Sequence, residues 1–484
     1  MYRKRDRAQF YIEDFIMPFG GKLRADNRWV KMAEMIPWDF VEDIYLENMN
    51  QDNGAPAISS RIAFGAIQVK EYEKLSDERV LDYICENPYV QYFLGLQEFQ
   101  DTPLFDSSMM VHFRKRFPAD KIEEINKRMF VEPKEDDPDD DPPFPNNGKL
   151  LLDATVAESD IRYPTDISLL NESRENLEQI IEELWGHGPK QGHKTRYNRK
   201  KARSQYLQII KQKAPGAKKI KAGIGIQLGY VWSNLETIGE LLLHTGLDVL
   251  PEKRTKRLMT ICELYRQQRA MYEDGTHRCE NRIVSLKQPH VRPIVRGKAG
   301  KPVEFGQKMA LSVVNGYTFI EKQSFDNFNE GTCLIESVER YRRLHGCYPE
   351  VVQADRIYRN RDNRAYCKKH GIRISGPRLG RPGKAAEKER DTAIQDNRER
   401  NTIEGRNGMA KRRFGLDLIY AYLPETALTE AVLNVLCMNV RIRLLLLRLY
   451  RFFGKRRLRT GLGDKIVAWH ILLNIPEQLR VGFA

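Results

Sequence analysis

Three acidic side chains stand out by where they fall in the sequence. Asp153 follows the apolar run Lys149-Leu150-Leu151-Leu152, and Asp355 follows Val351-Val352-Gln353-Ala354. Glu404 lies in the middle of a long charged stretch. Asp plus Glu number 66 in 484 residues, so residue type alone carries little and placement decides. A carboxylate inside or just beyond a buried strand is costly unless it is paired or metal-bound. Strand ends of α/β sheets are also where sites collect. If the two strands are neighbours, the two Asp repel each other, and a hard divalent cation such as Mg²⁺ or Mn²⁺ relieves that repulsion. Capping or turn roles are the alternative. Arg400, Glu404 and Lys411 are spaced by four and seven residues and share one face of a helix with Asn407 and Gly408. That face reads either as a solvated ion-pair stripe or as a third carboxylate aimed at the other two, with cations beside it for phosphate.

The elements that must position these residues follow from pattern. Residues 1–130 read as helical. Ser59–Glu73 carries Ile62, Ala66, Val69 and Tyr72 at helical spacing, and Ser76-Asp77 caps a helix over Glu78–Cys85. Asn87-Pro88 breaks that helix, Tyr89–Leu94 forms another, and Phe105–Phe117 adds a short segment. Such short helices fit a helix-turn-helix-like DNA reader or any small helical bundle. Residues 131–147 are an acidic, Pro-rich linker, either a solvated hinge or a mimic of DNA that competes for the chain's own basic groove. Lys149–Val156 reads as a buried strand, and Leu169–Leu286 as a charged helical block. Val303–Val314 and Tyr317–Lys322 form a hairpin at Asn315-Gly316. A helix over Thr332–Leu344, a strand over Glu350–Asp355, a helix over Arg361–His370, a short strand over Ile372–Ile374 and a long helix over Ala385–Phe414 follow. The sum is a mixed α/β sheet interrupted by an all-α insertion.

Charge points to a polyanion. Lys plus Arg is 80 against 66 acidic residues, a net +14. Residues 132–141 of the linker hold seven acids and one Lys, so the rest of the chain carries about +20. Arg196, Arg199, Lys200 and Arg203 share a helical face, and Arg378 and Arg381 lie in a glycine-rich basic loop. These residues are either solvated charge or phosphate contacts. From Thr426 the chain alternates apolar stripes with Arg, as a helix packed on the α/β sheet would, with DNA or subunit contact as the alternative. The sequence has no apolar stretch long enough for a membrane span or a signal-peptide core, and its seven Cys include no CxxC. This predicts a cytosolic protein without a disulfide framework or zinc ribbon. His277-x-Cys279 reads as a partly buried structural pair and not a metal site.

Taken together, the blocks resemble bacterial insertion-sequence transposases of the insertion-sequence-four and insertion-sequence-five kind, with an RNase H-like DDE catalytic domain. Asp153-Ala154-Thr155 with Tyr163-Pro164-Thr165-Asp166 is similar to the first-Asp block, and Ala354-Asp355-Arg356-Ile357-Tyr358 to the second. Arg400-x₃-Glu404-x₆-Lys411 followed by Arg412-Arg413-Phe414-Gly415 resembles the third. Asn397 stands where the family usually has Tyr. Asn87-Pro88-Tyr89-x-Gln91-Tyr92-Phe93-Leu94-Gly95-Leu96 resembles the family's N-terminal domain.

The resemblance implies an RNase H-like mixed β-sheet flanked by helices (148–168 and 300–425). To this it adds a helical DNA-binding domain over 1–130, an all-α insertion over 169–299 and a basic helical tail over 426–484. It implies Asp153, Asp355 and Glu404 as catalytic metal ligands, with two Mg²⁺ or Mn²⁺ ions about 3.5–4 Å apart around the scissile phosphate. Asp153 would bridge both ions. Arg400, Lys411, Arg412 and Arg413 would contact DNA. Terminal inverted repeats and target DNA would be the partners, and a homodimer would form the synapse. A metal-dependent nuclease without strand transfer and a non-catalytic DNA-binding protein are the alternatives.

Overall fold

The computed structural model describes residues 11–47, 49, 57–131, 145–187, 198–298, 301–376 and 386–460. The acidic linker falls almost wholly outside them, as do Arg196, Arg378 and Arg381. In chain order the helices α1 (Arg28–Met35), α2 (Trp38–Glu47), α3 (Ser60–Glu73), α4 (Arg79–Glu86), α5 (Pro88–Phe93), α6 (Met109–Arg116) and α7 (Ala119–Phe130) precede strand β1 (Lys149–Ser159). Helices α8 (Asp166–His187), α9 (Arg199–Ile210), α10 (Ala217–Thr245) and α11 (Glu252–Asp274) follow. Then come β2 (Arg292–Lys298), β3 (Lys301–Val314), β4 (Tyr317–Ser324), α12 (Leu334–His345), β5 (Val351–Ala354), α13 (Arg361–Lys369) and β6 (Arg373–Ile374). The described chain closes with α14 (Ala386–Phe414), β7 (Leu418–Ile419) and α15 (Pro424–Thr460). This is a mixed α/β chain, mostly helical, whose open sheet is consistent with an RNase H-like domain.

The chain divides into two compact units. One holds residues 1–158, 308–324 and 328–484, and the other residues 159–307 and 325–327. In the first unit the strand order runs β3-β1-β5-β6, with β4 on β3 and β7 on β1. β1 pairs with β5, and β5 with β6, in parallel. The β3–β4 hairpin turns at Asn315 (φ +50°) and Gly316 (φ +83°), as the Asn-Gly signal requires for two left-handed residues. Asn87 caps α5 by accepting from the Tyr89 and Val90 amides, which is why Asn-Pro separates α4 from α5. Gly95 (φ +82°) stops the chain there, and a Cβ on it would meet Arg61 Cδ at 2.8 Å. That room matters because the buried Arg61 guanidinium donates to the Phe93 and Tyr92 carbonyls (2.9 and 3.0 Å) at the end of α5. Burial lowers the Arg61 pKa to about 9.

Helix α15 is a core element of this unit. Ala431, Val432, Leu433, Val435, Leu436, Cys437 and Met438 are fully buried, in contact with α3, α7 and β4. Asn439 locks it in place: Nδ2 donates to Asn126 Oδ1 and the Thr318 carbonyl, and Oδ1 accepts from the Thr318 amide. Among the described residues no helix is long and apolar enough to cross a membrane.

The second unit is built on α8, α9, α10 and α11, whose inward faces (Leu177, Ile181, Val231, Ile261 and Leu264 among them) form one apolar cluster. Its strand β2 pairs antiparallel with the first half of β3. The sequence pattern missed β2, because Pro293 and Gly297 interrupt it and remove the usual strand signal.

Glu123 on α7 is buried against β4. It accepts from the Ile320 amide (3.1 Å) and from Asn126 Nδ2 (3.1 Å). Burial raises its pKa to about 7, against the opposing pull of Lys127 and these hydrogen bonds. An acid raised in the folded state keeps a proton that the unfolded chain has lost. Its contribution is therefore full below about pH 4.5 and lost as pH rises through about 7. The Glu430 carboxyl on α15 is raised too, by burial and by the nearby Glu71. Replacing Glu123→Gln is expected to flatten, without abolishing, the fall in urea midpoint between pH 4.5 and 7; an unchanged slope would contradict a buried protonated Glu123.

Candidate active site

Sheet register places the first two acids. β1 and β5 pair as Lys149↔Val351, Leu150↔Val352, Leu151↔Gln353 and Leu152↔Ala354. The next residue on each strand is an aspartate, so Asp153 and Asp355 stand side by side where the parallel pairing ends. The strand expected over Lys149–Val156 runs on to Ser159, so Asp153 lies within it. What ends at Leu152 is the pairing with β5. Asp355 leads a short 3₁₀ turn, Arg356–Tyr358, but its side chain makes no capping hydrogen bond there. The capping alternative therefore does not account for it.

Helix α14 brings the third acid. Between Arg390 and Phe414 the buried side chains are Asp396, Ile403, Ala410 and Phe414, a single line along the helix. Lys149, Leu151 and Asp153 share one face of β1, since strand side chains alternate. That face of β1 meets Glu399, Ile403 and Asn407 on α14, with Ile403 from the buried line at the centre. Lys149 Nζ contacts the Glu399 carboxylate at 2.7 Å, Leu151 clusters with Ile403 and Val313, and Asn407 Nδ2 donates to Asp153 Oδ2 at 2.8 Å. Each two-residue step on the strand, about 6.6 Å, is matched by a four-residue step on the helix, about 6.0 Å.

Arg400 then draws the acids together. Its NH1 lies 2.8 Å from Asp355 Oδ1 and its NH2 3.1 Å from Glu404 Oε1. The expected Arg400–Glu404 ion pair is present, and the same guanidinium also holds Asp355. The side chains of Asp355 and Glu404 are 56% and 53% exposed, so these are surface ion pairs and individually weak. The site is an open surface. A cleft of about 600 Å³ in the same unit, lined among others by Lys70, Glu71, Arg114, Tyr420 and Glu430, includes none of the three acids.

Among the described residues no three His, Cys, Asp or Glu side chains converge closely enough to hold an ion as they stand. The Arg400 guanidinium bridges Asp355 and Glu404. The donor chemistry nevertheless fits a hard divalent cation. Three carboxylates are joined by the Asn407 Oδ1 and Tyr358 Oη atoms, both buried and without a hydrogen-bond partner. Tyr358 is 1% exposed. Burial first, and then the charges of Glu330, Asp153 and Asp355, raise its pKa far above the usual range. Sequence reasoning named Tyr358 only as part of the second-Asp block and gave Asn407 no role beyond its helix face.

A further polar cluster holds α14. Burial raises the Glu399 carboxyl, but hydrogen bonds from Lys149, Gln395 and Gln353 more than offset it and bring its pKa to about 2. Lys411 is half-buried, and Arg412 and Arg413 are exposed at the end of α14. On α9, Lys200 and Arg203 are exposed, while Arg199 Nε is engaged 2.9 Å from the buried Glu178. His277 is not the partly buried partner of Cys279 that was expected. Its side chain is 78% exposed, and Nδ1 lies 3.2 Å from Asp166.

A transposase DDE domain model matches residues 352–441, which include Asp355 and Glu404, and a transposase domain model (DUF772) matches residues 18–116. The chain is 30% identical over 159 residues to uncharacterized protein ORF8 in the nfe locus of Rhizobium meliloti, covering 33% of this chain and 73% of that protein. No solved structure matches.

Replacing Ile403→Ala should cost about 2–5 kcal/mol, because the side chain is fully buried and leaves a cavity between helix and sheet. Chemical denaturation measures this; a loss below about 0.5 kcal/mol would mean that α14 is not packed on β1.

Proposed function

The chain belongs to the DDE transposases of insertion sequences, and from that premise we propose that it binds the terminal inverted repeats of its element and cuts and joins DNA strands at Asp153, Asp355 and Glu404. As a transposase it acts on DNA. The observation that carries the assignment of the site is the β1–β5 register. It leaves Asp153 and Asp355 adjacent, with Arg400 and Asn407 tying the helix of Glu404 to both.

Asp153, Asp355 and Glu404 would hold the divalent ions, Mg²⁺ or Mn²⁺, with Asn407 fixing the rotamer of Asp153. When bound, such ions stabilise charge on the attacking and leaving oxygens of an in-line displacement at phosphorus. Arg400 would turn from the carboxylates to a phosphate oxygen, since two weak surface ion pairs are all that it surrenders. Lys411, Arg412 and Arg413 would track the DNA backbone along the end of α14. Lys200 and Arg203 would do the same from the helical insertion, with a smaller part for Arg199. Residues 1–130 would read the terminal repeat, with residues 131–147 as the hinge beyond them. Two ends must be brought together, so the working form is proposed to be a homodimer.

The variant Asp153→Asn should abolish strand cleavage in Mg²⁺ while binding inverted-repeat DNA nearly as well as the unaltered protein. Retained cleavage would remove Asp153 from the site. Joining of donor ends to a target plasmid by the unaltered protein distinguishes a transposase from a nuclease that only cuts.

Binding should weaken steeply with salt. Neutralising two contacts with Lys200→Gln and Arg203→Gln should lower the slope of log K against log salt by about 2, to a similar degree on any sequence. An unchanged slope would take α9 off the DNA.

A further inference from the structure

Three adjacent strands each send one side chain to the same turn of α14. Lys149 on β1 and Gln353 on β5 both reach Glu399, at 2.7 and 2.6 Å. Gln353 Nε2 also donates to Asp396 at 3.1 Å, and Arg373 on β6 grips Asp396 through both nitrogens at 2.6 and 2.8 Å. Gln353 is 0% exposed and Asp396 5%, so neither is placed to touch DNA. Gln353 lies two residues before Asp355 on the same strand face, and Glu399 immediately precedes Arg400.

Burying Gln353 and Asp396 is a poor way to gain stability, since apolar groups of similar volume would hold the helix as well. What hydrogen bonds add is direction. The apolar contact of α14 with this face centres on Ile403, Leu151 and Val313, and a contact that small does not by itself set rotation or register. A slip by one helical turn would carry Asn407 from Asp153 towards Leu151 and take Glu404 away from Asp355.

We propose that Gln353, Asp396 and Glu399 are positioning residues that fix the register and rotation of α14, so that Glu404 and Asn407 meet Asp355 and Asp153. This rests on the reading of Asp153, Asp355 and Glu404 as metal ligands.

The test is the affinity of the full chain for Mn²⁺ alone, read from the electron paramagnetic resonance signal of the free ion. Gln353→Leu changes no charge. It is expected to weaken Mn²⁺ binding about tenfold while the far-UV circular dichroism and thermal midpoint stay close to those of the unaltered protein. The charge-neutral double variant Lys149→Met with Glu399→Met is expected to do the same, and it decides the matter if Gln353→Leu does not fold. Asp355→Asn is the reference and should lose Mn²⁺ binding. Unaltered Mn²⁺ affinity in both neutral variants, with loss in Asp355→Asn, overturns the positioning role and leaves the site assignment standing. Unaltered affinity in Asp355→Asn overturns both.

Discussion

The alignment of α14 along β1 and β5 is the constraint from which the site follows. Lys149–Glu399 at one end and Asp153–Asn407 at the other bracket a short stretch over which strand and helix advance nearly in step. The mismatch is about 0.6 Å per step, small enough for side chains to absorb over two steps. Within that stretch the carboxylates of Asp355 and Glu404 would repel each other, and Arg400 offsets the repulsion. Each ion pair is half-exposed and contributes on the order of 0.2–1 kcal/mol. Such pairs hold acids together in a protein without bound ions, yet they yield readily to a competitor of higher charge density.

Some of this could be read from the sequence. The Asn315-Gly316 hairpin, the strands around Leu150–Leu152 and Val351–Ala354, and the long helix ended by Gly415 all carry local signals, and local signals survive into the fold. Asp153 and Asp355 stand out because a charge at the edge of an apolar run is conspicuous, whereas Glu404, within a charged stretch, stands out only by its spacing from Arg400 and Lys411. What could not be read is tertiary. Asn407 and Asp153 are 254 residues apart, and nothing in the pattern around either names the other. Gln353 looks like an ordinary polar residue inside a strand, and only the packed structure shows its amide between two carboxylates. Arg400 was legible as a partner of Glu404 at i,i+4, but its second bond to Asp355 depends on the sheet register. β1 runs on past its expected end at Val156 to Ser159, and the whole of β2 was hidden by Pro293 and Gly297.

The net charge of +14 is likewise an average over unlike groups. Some cations are structural: Arg61 ends α5, Arg373 and Lys149 neutralise the network under α14, and Arg199 is partly spent on Glu178. Others, such as Lys200, Arg203, Arg412 and Arg413, are exposed. A polyanion would meet the second group, whereas loss of the first would disturb the scaffold. Counting basic residues does not separate the two; tracing each to its partner does.

The central claim is that Asp153, Asp355 and Glu404 surround one cation-binding centre. Fe²⁺ resembles Mg²⁺ and Mn²⁺ in charge and size, and with ascorbate and peroxide it generates hydroxyl radicals that cut the nearest backbone. Mapping those cuts in the full chain by mass spectrometry measures the convergence directly. Cuts clustered around residues 153, 355 and 404, and suppressed by excess Mg²⁺, are the expected result. Cuts at only one of these segments, or a pattern indifferent to Mg²⁺, would contradict a shared centre.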